Sequence, residues 1–411
     1  MKNKVVKFLV LIIIIIGAYQ GYLYYKMNSL EVEKEKIIID KYYIYGKHFN
    51  LEGDLSNIDD YDKIDLVLYN GISKSYKLKI ENNSFSLNEY INKGILLDEI
   101  RSGKYYLFIR TFKGDKEKYY VLSNQTEYDD TDYYTLSKSK RKIKINFKNK
   151  YKTLMFKVSR HGKNNVYDII IDPGHGGIDA GAVSSDEKYN ERDLAYKVSY
   201  YISKDLEKRG VKVKMTRDNK GEDIIEAYNF NNTKKIGRAV LPKEVNAKYV
   251  FSIHLNDYEY DSSMNGFEIY TASGIDYKFA KKLAGNIKKD TDIKPSLKEE
   301  FKVSEGVYTH NVTREELSMP NEYENEYDVS SNSNYLYMIR EPGGILTGAY
   351  VDKRNINTIG FNPYYDTNVG VEGYLLELGY LSNPSDLDYI ASNTEEYAKV
   401  IADSIYNNLI R

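Results

Sequence analysis

The chain predicts three parts in order. These are an N-terminal transmembrane helix (1–29), an all-β immunoglobulin-like sandwich (30–160) and an α/β domain (166–411) whose mixed, mostly parallel sheet is flanked by helices. Three observations carry that prediction. A long apolar run opens the chain, a period-two pattern follows it, and beyond about residue 165 short apolar strands alternate with segments of helical period. A length of 411 residues suits two or three domains.

The first part rests on residues 5–25. Residues 8–18 are apolar without a break and include Ile12 through Ile16, and Tyr19, Tyr22, Leu23, Tyr24 and Tyr25 continue the run. As a helix this stretch is about 31 Å long, close to a bilayer core of about 30 Å. Lys2, Lys4 and Lys7 precede it, so the N-terminus is expected inside and the bulk of the chain outside, as a single-pass protein of the cell membrane. The tyrosines at the far end suit an interfacial belt. A cleaved signal peptide is the alternative. Ala18-Tyr19-Gln20 lacks small residues at the cleavage spacing, which favours an uncleaved anchor.

The second part alternates. Ile64, Leu66 and Leu68 are interleaved with Lys63, Asp65 and Val67. Tyr76, Leu78 and Ile80 alternate with lysines, as do Ile143, Ile145 and Phe147 with Lys142, Lys144 and Asn146. Such alternation marks strands with one buried face, and Asn70-Gly71 and Lys113-Gly114-Asp115 mark turns between them. Several short strands predict an antiparallel sandwich. Its chemistry-free composition suits a spacer or a docking module.

The third part changes period. Residues 166–171 read as a buried strand. Asn190 is a good N-cap for a helix over 191–209, with Leu194, Val198, Ile202 and Leu206 as its apolar stripe and Gly210 as its stop. Further strands are expected near 211–215, 248–253, 267–270 and 373–376, with helices over 277–287 and 395–410.

Composition narrows the chemistry. Lys+Arg total 59 and Asp+Glu 60, a balance without the basic excess of a nucleic-acid binder. Cysteine is absent, which excludes disulfides, thiolate metal sites and a cysteine nucleophile. Any metal must be held by His, Asp or Glu. His175 follows the first strand of the α/β part, His254 and Glu377 end later strands, and Glu191 opens the helix between. Ligands in open α/β sheets collect at the carboxyl ends of strands. Two imidazoles, one carboxylate and an open position suit catalytic zinc, which lowers the pKa of water to about 7. A further carboxylate must then move protons. That assigns His175, Glu191 and His254 as Zn2+ ligands and Glu377 as the base. Taken singly, each has a plainer reading. A strand-end His is often only hydrogen-bonded, and Glu191 would complement a helix dipole. Glu377 between Leu376 and Leu378 is the hardest to dismiss, because an unpaired buried carboxylate is costly.

The motifs together resemble the zinc-dependent N-acetylmuramoyl-L-alanine amidases of family 3. Those motifs are Asp172-Pro173-Gly174-His175-Gly176-Gly177 with Asp179 and Gly181, Asn190-Glu191-Arg192-Asp193, Thr216-Arg217-Asp218, Ser252-Ile253-His254-Leu255-Asn256, Gly266-Phe267-Glu268 and Leu376-Glu377-Leu378-Gly379. The resemblance spans about 166–411. It implies a mixed six-stranded sheet, the same three ligands and base, and cleavage of the amide joining N-acetylmuramic acid to L-alanine in peptidoglycan. A non-catalytic wall-binding or scaffolding protein on the same fold is the alternative, and retention of all four groups favours the enzyme. Two positions depart from the family pattern, Tyr374 and Tyr380. A larger departure is an insertion at about 292–371, acidic in part, which is expected to wall the substrate groove.

Overall fold

The computed structural model describes residues 2–58, 60–124, 130–219, 237–238, 241–309, 337–340 and 368–411. Helix α1 covers Lys2–Ser29. It is long and apolar enough to cross a bilayer, and none of its apolar window is buried against the rest of the chain.

Twelve strands follow among the described residues: β1 (Lys36–Tyr45), β2 (His48–Asp54), β3 (Lys63–Tyr69), β4 (Ser73–Tyr76), β5 (Leu78–Glu81), β6 (Ser84–Leu87), β7 (Ile95–Leu96), β8 (Gly103–Lys113), β9 (Lys116–Asn124), β10 (Thr131–Tyr134), β11 (Arg141–Asn146) and β12 (Met155–Arg160). They join in the order β10-β11-β12-β8-β9-β1-β2-β6-β5, and β3 pairs with β4 and β8. Phe49, Leu66, Ile109, Ile143 and Phe156 belong to their common core.

Two details differ from the alternation read in the sequence. The expected sandwich was antiparallel, but β1 runs parallel to β9, from Lys36↔Val121 to Ile39↔Asn124. Short hairpins force β8–β9, β5–β6 and β1–β2 antiparallel, whereas β1 and β9 are distant in sequence and no hairpin joins them. The second difference is at Tyr76, Leu78 and Ile80. The strand breaks at Lys77, and although Leu78 and Ile80 share one face of β5, Leu78 is buried while Ile80 is exposed on this strand at the end of the sheet order. In β3 both faces are buried, because Val67 and Tyr69 pack in a second cluster with Met27, Leu30 and Val32 from the end of α1 and the segment after it.

The α/β part contains β13 (Ile169–Pro173), α2 (Glu191–Lys208), β14 (Val213–Met215), α3 (Leu241–Glu244), β15 (Tyr249–Asn256), β16 (Glu268–Thr271), α4 (Lys278–Asp290), β17 (Lys302–Ser304), β18 (Val307–Thr309), α5 (Tyr337–Arg340), β19 (Val369–Gly370), β20 (Glu372–Tyr380), α6 (Pro384–Ser392) and α7 (Thr394–Ile405). Its sheet runs β14-β13-β15-β20-β16-β18-β17. The first four strands are parallel, β16 is antiparallel to β20, and β17 is antiparallel to β18. Among the described residues the sheet is therefore mixed and seven-stranded, one strand more than the resemblance implies. Strands β17 and β18 lie inside the span read as an insertion; residues 310–336 and 341–367 of that span lie outside the described residues. The proposed groove wall falls largely on these.

One sheet face packs against α2, α4 and α7 through Leu194, Val198, Leu283 and Ile401. The helix read over 395–410 is α7, continued by a wider helical turn over Tyr406–Ile410, and a separate helix, α6, precedes it under the Asn383 cap. The other face is covered by α3 and α5. Tyr45 from β1 joins Tyr270, Tyr308 and Leu375 there.

The two parts are bonded directly. Strand β1 pairs parallel with β19 (Ile44↔Val369, Tyr45↔Gly370), immediately ahead of β20. Ser137 donates its N–H and its hydroxyl to the two carboxylate oxygens of Asp168, each at 2.6 Å. Asn92 accepts from the Asp276 N–H at 2.7 Å and donates to Glu372 Oε1 at 3.1 Å. Apolar packing with satisfied buried polar groups makes an interface that survives dilution. Cutting an engineered protease site placed within residues 161–165 is expected to leave two pieces that co-elute in size exclusion. Separation into independent peaks would count against this interface.

Candidate metal centre

Each site residue is placed by the element that carries it. His175 follows β13 with φ of +58°, in the left-handed region that non-glycine residues seldom occupy. Glu191 is the first residue of α2, whose cap is the Asn190 side chain accepting from the Asp193 N–H at 2.9 Å. His254 lies in β15 and Glu377 in β20, and they are register partners across the parallel pair. The register thus brings Glu377 beside His254 at the carboxyl end of the sheet, the same edge at which His175 and Glu191 lie.

Glu191 links the two imidazoles. Its Oε2 lies 2.9 Å from His175 Nε2, and its Oε1 lies 2.9 Å from His254 Nδ1. Backbone N–H groups of Leu255 (3.0 Å) and Ala182 (3.2 Å) also donate to it. Burial raises the pKa of this carboxyl, but the two histidines outweigh burial and hold it well below the usual carboxylate range. For His175, burial lowers the pKa, and the bonds to Glu191 and Asp179 reverse the sign and raise it. One donor atom from each of His175, Glu191 and His254 lies within 4.8 Å of the others, a group that could hold a metal ion.

The surroundings fit such an ion. A Cβ on Gly174 would sit 2.4 Å from His254 Cε1, and one on Gly181 would sit 2.6 Å from His175 Cδ2 and 2.7 Å from Glu191 Oε2. The glycines leave room that side chains would fill. Glu377 is buried, and its Oε2 has no hydrogen-bond partner among the described residues. An orphaned carboxylate oxygen beside an imidazole–carboxylate group is costly unless a cation or a water meets it. Burial first, then the charges of Glu191 and Glu268, push the pKa of Glu377 well above the carboxylate range, with Lys298 opposing.

Other residues build the site that the sequence motifs contain without a stated role. Asp179 Oδ2 lies 2.8 Å from His175 Nδ1 and so orients the ring. Asp172 accepts from Thr216 and Ser252 hydroxyls, each at 2.6 Å, and from Arg238 at 3.2 Å. Arg217 donates to the carbonyls of Pro173 and Gly174, and Arg238 to those of Pro173 and His175. These two buried guanidiniums clamp the loop that carries His175. Glu268 is the register partner of Glu377 on β16 and accepts from Tyr270 (2.6 Å) and Tyr380 (2.8 Å). Tyr380, a departure from the family pattern, thus supplies a hydroxyl to this carboxylate. Only spacing could have flagged Asp179, four residues after His175. Arg238 stands alone in the sequence and carries no such signal.

An α/β sheet with a histidine–carboxylate centre at its carboxyl edge defines a class, and a family comparison makes it specific. Residues 169–340 match the family described as N-acetylmuramoyl-L-alanine amidase. The match lies within the α/β part and covers less than half of the chain. A 104-residue stretch is 35% identical to a protein of Staphylococcus aureus named probable cell wall amidase LytH, covering 25% of this chain and 30% of that one. The chain thus spans about a third of the length of the curated relatives it matches. Among solved structures, N-acetylmuramoyl-L-alanine amidase AmiC2 of Nostoc punctiforme is 21% identical, with 61% of this chain and 100% of that chain covered and a TM-score of 0.36. The CwlD amidase of Clostridioides difficile, solved in complex with the GerS lipoprotein, is 20% identical, with 59% and 97% covered and a TM-score of 0.37.

Two outcomes follow from this geometry. Asp179→Ala is expected to lower zinc affinity by about 10–100-fold, since an outer carboxylate fixes a ligating imidazole; competition against a chromophoric chelator checks it. The raised pKa of Glu377 has a stability sign. Below about pH 4 the group is protonated folded and unfolded alike; as pH rises, the unfolded chain ionises first and the metal-free fold loses stability. Glu377→Gln is therefore expected to raise the metal-free Tm at neutral pH, with the gain vanishing near pH 4. Thermal melts across pH read it.

Proposed function

We propose that the chain is a membrane-anchored zinc hydrolase that cuts the amide between N-acetylmuramic acid and L-alanine in peptidoglycan. In this reading His175, Glu191 and His254 hold zinc, Glu377 is the general base, the β-rich part is a sandwich-type module, and the α/β part lies on the extracytoplasmic side. The observation that carries it is the register pairing of His254 with Glu377, which sets an orphaned carboxylate oxygen beside the three donor atoms. The family match and the relative named a cell wall amidase support the substrate class.

Zinc, when bound there, supplies Lewis acidity toward a carbonyl and toward water near neutral pH. The rest is done by the chain. Asp179 holds the His175 ring, and the two arginines hold its loop. Glu377 takes a proton from the attacking water and returns it to the leaving amide nitrogen, so water and amide become an acid and an amine. Burial keeps the base poised, and Glu268 raises its proton affinity from the neighbouring strand. A non-catalytic wall-binding protein would need none of this pairing.

The decisive experiment digests purified wall with the full chain and with Glu377→Gln. The wild type is expected to release intact stem peptides with a free L-alanine amine, and the variant to keep its metal while losing roughly 100–10,000-fold in rate. Equal products from both would remove the enzyme reading. The pH profile gives a second check. Glu377 works ionised, so the rate should fall as pH drops through its raised pKa. Glu268→Gln removes one charge that raises that pKa and should move the acid limb to lower pH; rates on a soluble muropeptide across pH measure it.

A further inference from the structure

The end of α1 is built into the β-rich part. The last carbonyls of a helix lack partners within it. Here the Lys26 carbonyl accepts from Tyr69 Oη at 3.0 Å, and the Met27 carbonyl accepts from Lys150 Nζ at 2.9 Å and Tyr151 Oη at 2.5 Å. Lys150 also donates to Asn28 Oδ1 at 2.8 Å. Just beyond, the Glu33 N–H donates to the Tyr119 carbonyl at 2.8 Å. Met27, Leu30 and Val32 pack against Val67, Tyr69, Phe108 and Tyr119. Helix and domain therefore meet through a collar of contacts rather than through a bare tether.

The turn between β3 and β4 reaches further along the helix. A Cβ on Gly71 would lie 2.8 Å from the Leu23 carbonyl and 3.1 Å from its Cα, and Gly71 has φ of +96°. Only glycine satisfies both limits. Leu23 lies among Tyr22, Tyr24 and Tyr25, all exposed, which suit the interfacial belt of a spanning helix. A turn that touches Leu23 sits at the depth of that belt. The next residue, Ile72, is 52% exposed.

We infer that the 70–72 turn is a second membrane contact, with Ile72 entering the headgroup layer beside α1 and the Lys150–Tyr151 collar holding the domain on the bilayer surface. This rests on the reading of α1 as a retained anchor. The partner is the lipid surface itself, because the turn is continuous with the helix that spans it. An apolar side chain at that depth gains from leaving water, and a domain seated at two points has a set tilt and height. The direct bonds between the β-rich and α/β parts pass that orientation to the metal centre.

The chain has no cysteine, so single cysteines can be labelled cleanly. The full chain is placed in phosphatidylcholine–phosphatidylglycerol vesicles with an environment-sensitive dye at Ile72→Cys, Ile14→Cys or Lys289→Cys. Spin-labelled lipids then quench the dye by depth. Position 14 should be quenched by deep labels, position 72 by shallow labels with a blue-shifted emission, and position 289 by neither. Adding Gly71→Val to the Ile72→Cys chain should abolish quenching at 72, and adding it to the Ile14→Cys chain should leave position 14 unchanged. If position 72 is no better quenched than 289 while 14 is quenched, the second contact is wrong and the anchor stands. If position 14 is not quenched, the anchor reading fails and this inference falls with it.

Discussion

A single buried carboxylate organises the site. Glu191 stands between two imidazoles at 2.9 Å each and accepts two backbone N–H groups as well. Without it, two histidines would face one another with no charge between them to hold them together. With it, the loop after β13, the start of α2 and the end of β15 are tied to one point. The cost of burying the charge is offset by four hydrogen bonds, and the imidazole bonds are strengthened by the low local dielectric.

Around that point the structure spends its polar groups on rigidity. His175 occupies a backbone region that would relax if released, and it is held by Asp179 at its ring and by Arg238 at its carbonyl. Asp172, fully buried, receives two hydroxyls and a guanidinium. Every partner in that network comes from a different strand or loop. Such a network fixes a ligand loop more tightly than apolar packing would, because hydrogen bonds have direction.

The β-rich part is more than a distant spacer. It covers part of the α/β sheet with Tyr45, extends into it through the β1–β19 pairing, and reaches Glu372 with Asn92. Glu372 and Glu377 share a strand but differ by an odd number of residues, so they face opposite sides of the sheet. The domain contact at one end of β20 and the candidate metal centre near the other are joined by one strand.

Much of this was legible in the chain itself. The apolar opening, the helical stripe of α2 under its Asn190 cap, the three groups at strand ends and Glu191 at the start of α2 are local patterns, set by periodicity and by what each side chain can do within a few residues. Pairing is not local. The parallel β1–β9 contact, the exposure of Ile80 on the strand that ends the sheet order, the place of β18 beside β16 and the direct opposition of His254 and Glu377 depend on which segments meet across long separations. No window of sequence records that. The same holds for Arg238 and Glu268, whose roles come from neighbours distant in the chain. Residue type and spacing named the chemistry; only the folded sheet, by register and burial, decided which groups touch and which oxygen is left without a partner.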